Sequence, residues 1–315
     1  MYIIDVNTIE AFEQDVMYQI TDIKKFLHLS NIKKIDIDQQ QRCTFTGAGD
    51  SFVAALIAEL VSSNRIQCID PMDICLNPST VKDRFLYTIS ISGNTKANIE
   101  AVNVANKVAE KTIAVTAHVD SRLAEICNEV VELKFRNSGI FTAGSIGFTA
   151  CMLACLSFVR NIQLGNIKQL FRQAQRDALT ITVSDHMYII GSWMTYPLAM
   201  YGSAKLYEIF GTKVQYCMLE QFCHMELFSL KKDDIILILP VENDYEKANE
   251  LSIKLTNSNY NVVSCKPKGN GLEEKLLYHV FLLQLIALQN AKKQNLTECY
   301  FVNTELRDIS SSLIY

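Results

Sequence analysis

Short runs of β-branched and aromatic residues recur along this chain. Each is closed by glycine, proline or a polar turn and followed by a segment of helical period, and that alternation restricts the fold more than any other feature. Phe85–Ser92 (FLYTISIS), ending at Gly93, and Ile235–Leu239 (IILIL), ending at Pro240, are the clearest strands. Thr8–Leu29, with Ile9, Phe12, Val16, Ile20, Ile23 and Leu27 at helical spacing, and Tyr196–Phe210, stopped by Gly211, are the clearest helices. Strands that alternate with helices pair in parallel and have both faces covered. The pattern runs twice. Its first pass holds Arg42–Thr46, Ile66–Ile69, Phe85–Ser92, Thr112–Val115 and Val130–Leu133 as strands and ends in the apolar helix Phe148–Val159. After Gly165-Asn166, the second holds His186–Ser192, Val214–Leu219, Ile235–Leu239 and Asn261–Cys265 and ends in the long helix Glu273–Lys293. The expectation is two similarly built α/β units, residues 1–160 with the N-terminal helix and 165–300, each a doubly wound, flavodoxin-like parallel sheet. The tail, 301–315, has mixed pattern and no fold of its own.

Composition narrows the function classes. With 315 residues, 49% hydrophobic and 20% charged, the chain can bury large cores without disulfides or structural metal. A net charge of −4 without a basic run removes the electrostatic footprint of a nucleic-acid binder. The ten cysteines fall mostly in apolar segments, as Cys151, Cys155 and Cys265 do, and read as buried thiols of a reducing, cytoplasmic protein. Asp5, Glu10, Glu13, Asp15 and Asp22 come early, and neither the basic start nor the unbroken apolar stretch of a signal peptide is present, so none is expected. Ile140–Val159 is uncharged and long enough to span a bilayer, but Gly144, Ser145, Gly147 and Thr149 make its first half a loop entering a buried helix. No membrane partner is expected.

Three places carry chemistry. Thr46-Gly47-Ala48-Gly49-Asp50-Ser51 joins a strand to a helix, where backbone can approach a ligand and free N–H groups gather. It is not a full dinucleotide fingerprint, because Phe52 stands where glycine is needed and Asp50 would repel a pyrophosphate. A plain N-capping turn at Asp50 or Ser51 is the alternative. Ser90-Ile91-Ser92-Gly93-Asn94-Thr95 is a second strand-to-helix junction. Its hydroxyls and backbone N–H groups suit a small phosphate monoester, unless Ser92 or Thr95 only caps the helix. Both loops would lie at the carboxyl edge of one parallel sheet, where open α/β folds bind ligands. The third place is Glu208, beside Lys205, with His224 sixteen residues on; a solvated carboxylate and a satisfied, partly buried histidine are the alternatives. Cys217, Cys223, His224 and Glu226 lack the paired spacing of a metal centre, and Cys223 is adjacent to His224 rather than facing it.

These motifs resemble the sugar isomerase (SIS) domain family over about residues 45–300, in the tandem arrangement of stand-alone phosphosugar isomerases and of the isomerase half of the glutamine–fructose-6-phosphate aminotransferases. Ile89-Ser90-Ile91-Ser92-Gly93-Asn94-Thr95 is similar to the family's I-S-x-S-G-x-T phosphate loop, and Gly47–Ser51 stands at its C-G-T-S-type loop. Tyr196-Pro197-Leu198-Ala199 through Lys205-Leu206-Tyr207-Glu208 resembles Y-P-L-A…K-L-K-E, and the spacing from Glu208 to His224 is the family's own.

The resemblance implies that Ser90, Ser92, Gly93 and Thr95 hold a sugar phosphate and that Gly49, Asp50 and Ser51 touch the sugar. Glu208 would move the proton between C1 and C2 through an enediol-type intermediate. His224 would handle ring opening, in the family often donated across a homodimer interface. A carboxylate can take and return a proton beside a carbonyl, and histidine can open a hemiketal near neutral pH. No cofactor or metal is implied.

The departures matter too. The chain opens at Met1-Tyr2 without the aminotransferases' glutaminase domain. Neither glycine nor proline follows His224, Thr142–Thr149 lacks the family's loop lysine, and Asp308 stands where the closing tail carries lysine. Synthesis of an amino sugar from glutamine is therefore not expected. The expected activity is aldose–ketose isomerisation of a hexose 6-phosphate or amino-hexose 6-phosphate. The alternatives are glucosamine-6-phosphate deaminase or fructosamine-phosphate deglycase and, in another class, a non-catalytic sugar-phosphate sensor.

Overall fold

The computed structural model describes residues 6–30 and 32–315, so Met1 and Tyr2 lie outside it. The amphipathic helix α1 (Thr8–Leu29) is followed by the short α2 (Ile37–Gln40). Then come β1 (Cys43–Gly47), α3 (Asp50–Val61), β2 (Gln67–Cys68), α4 (Pro71–Leu76), β3 (Phe85–Ile89), α5 (Lys96–Ala105), β4 (Lys111–Thr116), α6 (Arg122–Ile126) and β5 (Glu129–Glu132). The five strands pair in parallel in the order β2-β1-β3-β4-β5. The chain steps outward from β1 to β2, then back past β1 to β3 and on. Right-handed crossovers therefore put α3 on one face and α4, α5 and α6 on the other. Packing agrees: Ile74, Leu86, Ala101, Val102, Ala114 and Leu123 form one cluster. On the opposite face α3 packs along α7 (Ile146–Val159).

Helix α7 has apolar side chains all round, which is the pattern of a helix enclosed by protein. Its 14 residues reach about 21 Å, short of a bilayer's hydrocarbon core. Among the described residues no helix is long and apolar enough to cross a membrane.

The second pass comprises α8 (Ile167–Ala178), β6 (Met187–Gly191), α9 (Tyr196–Phe210), β7 (Val214–Met218), α10 (Leu219–His224), β8 (Ile235–Leu239), α11 (Tyr245–Asn257), β9 (Asn261–Ser264) and α12 (Leu272–Lys293). Its four strands are again parallel, in the order β7-β6-β8-β9. The crossover rule puts α9 on one face and α10 and α11 on the other. Tyr188, Ile190, Ile236 and Ile238 pack with Phe222 of α10 and Leu251 of α11. Ile189, on the other side of the pleat, lies against α9, because a Cβ on Gly202 would come within 3.2 Å of it. Interior strand β8 is buried at every position, whereas edge strand β7 exposes Gln215, Tyr216 and Met218.

The fold divides into two compact units that are discontinuous in sequence. One holds Gln163–Thr304, Asn137–Ser145 and the chain up to Ile20; the other holds Thr21–Arg136, Ile146–Ile162 and Glu305–Tyr315. The ten cysteines are free thiols. The tail departs from expectation: Leu306–Ile314 forms α13, whose Ser312 carbonyl accepts a 2.8 Å hydrogen bond from Lys96 Nζ at the start of α5. The long strand expected over Phe85–Ser92 stops at Ile89, because the chain turns at Ser90.

Candidate functional site

The order β2-β1-β3-β4-β5 reverses direction between β1 and β3, and ligands of such sheets bind outside the carboxyl ends at that reversal. Gly47, the last residue of β1, is paired with Ile89, the last of β3. The two loops singled out by sequence therefore leave neighbouring strands at the same edge. Gly47 has to be glycine: a Cβ would meet the Ile89 carbonyl and the Ser51 side chain at 2.9 Å. Gly49 is exposed and precedes α3, and Asp50 is half-buried as the first residue of that helix. Ser51 is buried, and its hydroxyl hydrogen-bonds the Cys151 thiol of α7. Burial pushes that thiol up to about 12.

The loop after β3 is a tight turn built on its own polar groups. Ser90 is buried, and its Oγ accepts from Gly93 N at 3.2 Å. Ser92 Oγ accepts from Asn94 N at 3.3 Å. Gly93 has φ +63°, and a Cβ there would lie 2.0 Å from Ser121 Oγ, so α6 approaches too closely for any side chain. Thr95 occupies the N-cap position of α5, yet its side chain makes no capping hydrogen bond. The first turn of α5 thus keeps its outward N–H groups, with the Ser92 and Thr95 hydroxyls beside them. A helix start left open in this way has the partial positive charge and donors that an anion needs.

Glu208 stands in the last turn of α9. Its Oε2 lies 2.6 Å from Lys205 Nζ. The Lys205 side chain is fully buried, while that of Glu208 is 34% exposed. Lys205 is the residue that sequence reasoning passed over. The sequence places it only beside Glu208, although its position in a helix of small and apolar residues is a signal of burial. Because α9 leads back from β6 to β7, Glu208 lies at the amino end of the sheet. The Tyr207 hydroxyl bonds the carbonyl of Val214, the first residue of β7.

His224, the last residue of α10, is 68% exposed and lies 3.0 Å from Glu220 Oε1. It is a surface side chain rather than a half-buried one. The structure does not bring Glu208 and His224 of one chain together, because α9 and α10 cover opposite faces of the four-stranded sheet. Among the described residues no group of three His, Cys, Asp or Glu side chains gathers to hold a metal, and Cys217, Cys223, His224 and Glu226 form no such cluster.

No protein-family model matches the sequence, and no curated protein is detectably similar to it. Solved structures do match. A glucosamine-6-phosphate deaminase from Thermotoga maritima aligns over 91% of this chain and 96% of its own, with TM-score 0.74 and 19% identity. A tagatose-6-phosphate ketose/aldose isomerase from Escherichia coli aligns over 92% of each chain, with TM-score 0.68 and 16% identity. The C-terminal domain of a glucosamine-fructose-6-phosphate aminotransferase from Francisella tularensis aligns over 91% of this chain and 94% of its own, with TM-score 0.64 and 16% identity. At such identities the likeness is one of fold. In fold, as two doubly wound parallel sheets carried on one polypeptide, the chain is similar to these sugar-phosphate proteins.

Proposed function

We propose that this protein is a phosphosugar aldose–ketose isomerase acting on a hexose 6-phosphate or amino-hexose 6-phosphate. The observation that carries the reading is the half-exposed Glu208 carboxylate held 2.6 Å from a wholly buried ammonium. A carboxylate fixed by an interior cation is a base with a defined direction, which proton transfer beside a carbonyl requires. Glu208 removes the proton from the carbon next to the carbonyl; the C–H electron pair forms the enediol double bond, the carbonyl π pair moves to its oxygen, and that oxygen takes the proton of the neighbouring hydroxyl. Return of the proton to the neighbouring carbon completes the isomerisation. Ser90, Ser92, Gly93 and Thr95, with the open first turn of α5, take the phosphate. The loop Gly49-Asp50-Ser51 contacts the sugar.

His224 opens the ring in this reading. One chain keeps it on the opposite face of the sheet from Glu208, so the histidine serves a second copy in a homodimer. Met225 and Phe228, 56% and 84% exposed, give that copy an apolar surface beside the histidine.

The test is proton NMR in D2O with hexose and amino-hexose 6-phosphates, comparing wild type with Glu208→Gln. Deuterium at C1 or C2 with wild type alone supports the reading, and release of ammonium along with the ketose would make the reaction a deamination. Ligand broadening without exchange for every sugar would turn the reading to a sensor. Mixed Glu208→Ala and His224→Ala chains should recover activity; no recovery after demonstrated subunit exchange would refute the shared histidine.

A further inference from the structure

Tyr201, Lys205 and Glu208 follow one another at i, i+4 and i+7 on α9 and so share one stripe of the helix. Tyr201 and Lys205 are fully buried. The Lys205 ammonium lies 5.1 Å from the centroid of the Tyr201 ring, at the range where a ring face attracts a cation. The ring is anchored at its far end. Its hydroxyl donates to the Gly144 carbonyl at 2.7 Å and accepts from Gln284 Nε2 of α12 at 3.0 Å. Gln284 also donates to the Ser145 carbonyl at 3.3 Å, and its Oε1 accepts from Gln19 Nε2 of α1 at 2.8 Å. Both glutamines are wholly buried. Polar side chains at the centre of a helical layer give no more stability than apolar ones of the same shape, because each hydrogen bond only offsets the cost of leaving water. What such a satisfied network supplies is a single arrangement of its members.

We propose that Tyr201 and Gln284 are positioning residues. They hold the Lys205 ammonium, and through it the Glu208 carboxylate, in the orientation that proton transfer uses. The inference rests on the reading of Glu208 as the base. The chain of contacts runs from α1 through α12 to α9, so the direction of the carboxylate is set by three helices rather than by its own rotamer alone.

The experiment compares wild type with Tyr201→Phe and Gln284→Met in two readouts. One is steady-state kinetics on the sugar phosphate. The other is the Nζ spectrum of 15N-lysine-labelled protein, with the Lys205 signal assigned by its loss in Lys205→Met. The Lys205 ammonium of wild type should be protected from exchange. Tyr201→Phe should lower kcat about tenfold while KM stays within about twofold, and the protected signal should vanish. Gln284→Met keeps the Tyr201–Gly144 hydrogen bond and should do the same more weakly, lowering kcat about threefold. The proposal is overturned if both variants keep kcat and the protected signal, or if KM and kcat worsen together while the signal is unchanged. If wild type turns over no sugar phosphate, the isomerase reading falls, and the ammonium signal still decides whether Tyr201 and Gln284 hold Lys205.

Discussion

At the reversal point of the five-stranded sheet, the loop after β3 reads Ser90-Ile91-Ser92-Gly93-Asn94-Thr95; at the same point of the four-stranded sheet, the loop after β8 reads Pro240-Val241-Glu242-Asn243-Asp244. The topology is the same, since each sheet starts at an inner strand, steps outward once and returns past it. The chemistry is opposite. The first loop has hydroxyls and no charged side chain. The second has two carboxylates, and Asp244 stands at the N-cap of α11 with Oδ1 on Val241 N at 2.8 Å and Oδ2 buried without a hydrogen-bond partner among the described residues. Neither helix start is capped by a side-chain hydrogen bond, but the N-cap residue of α5 is a neutral threonine and that of α11 a carboxylate, which disfavours a further anion there. The repeated topology therefore presents two strand-to-helix loops at corresponding strand ends, and their residues differ in the charge they offer a ligand. In the four-stranded unit the Lys205–Glu208 pair lies instead at the amino end, on α9.

The strongest way to break this comparison is at Gly93. Alanine there would need a left-handed backbone at φ +63° and would put Cβ 2.0 Å from Ser121 Oγ, itself buried at the start of α6. Together the backbone strain and the overpacking should cost about 3 kcal/mol of stability. Sugar-phosphate binding should disappear, since the turn that aims the Ser92 and Thr95 hydroxyls cannot form. Denaturant unfolding and calorimetry read the two effects. Adding Ser121→Gly should restore part of the stability and none of the binding. Full binding by Gly93→Ala would show that the turn is not the cradle.

A smaller effect sharpens it. Ser92→Ala with Thr95→Ala removes two hydroxyls, and with Ser92 the long acceptor contact to Asn94 N, while the Ser90–Gly93 hydrogen bond that closes the turn remains. Affinity for a hexose 6-phosphate should fall by about 2 kcal/mol, about 30-fold. Glu242→Gln, in the corresponding loop of the other unit, should leave affinity within about twofold, because that side chain is exposed and paired with Lys275. Equal losses in both variants would mean that the two crevices are not chemically distinct.

Much of this contrast was legible in the sequence, and the reason is local. Strand Ile235–Leu239 and helices Thr8–Leu29, Tyr196–Phe210 and Tyr245–Asn257 end where their sequence signals end: at Pro240, at Gly211, or where the apolar period stops. The glycines and hydroxyls of both loops at the β1 and β3 ends could be read as well, because turn chemistry is written in adjacent residues. What could not be read depends on partners distant in sequence. The place of the Tyr201 ring beneath the Lys205 ammonium involves Gly144 and Gln284, which hydrogen-bond the tyrosine hydroxyl. The turn of the Ser51 hydroxyl toward Cys151 depends on α7. The exposure of His224 depends on which face of the sheet α10 covers. The helix α13 is amphipathic but buries no side chain, and the hydrogen bond from Lys96 to the Ser312 carbonyl joins it to α5.

The smallest expected effect tests the acidic crevice by itself. Burial pushes the Asp244 carboxyl from 3.8 up to about 6, the hydrogen bond from Val241 N opposing the shift. A group whose folded value is raised stabilises the fold below its ordinary value, and that contribution is lost as pH rises through about 6. At pH near 8 the native protein therefore carries an ionised, partly buried carboxylate with one oxygen unpaired. The full linkage would approach about 3 kcal/mol, but the group is only half enclosed and water screens it, so about 1 kcal/mol is expected. Asp244→Asn keeps the acceptor for Val241 N and removes the charge. It should be more stable than wild type by about 1 kcal/mol near pH 8 and equal to it near pH 4, as read by denaturant unfolding at both values. Asp15, raised to about 6 by burial in the same way, is present in both proteins and cancels in the difference. Sugar-phosphate affinity should not change, since the phosphate is assigned to the other unit's loop. Equal stability at both pH values would show that Asp244 bears no cost of ionisation, and the contrast between an anion-ready and an anion-averse helix start would then rest on Glu242 and the hydroxyls alone.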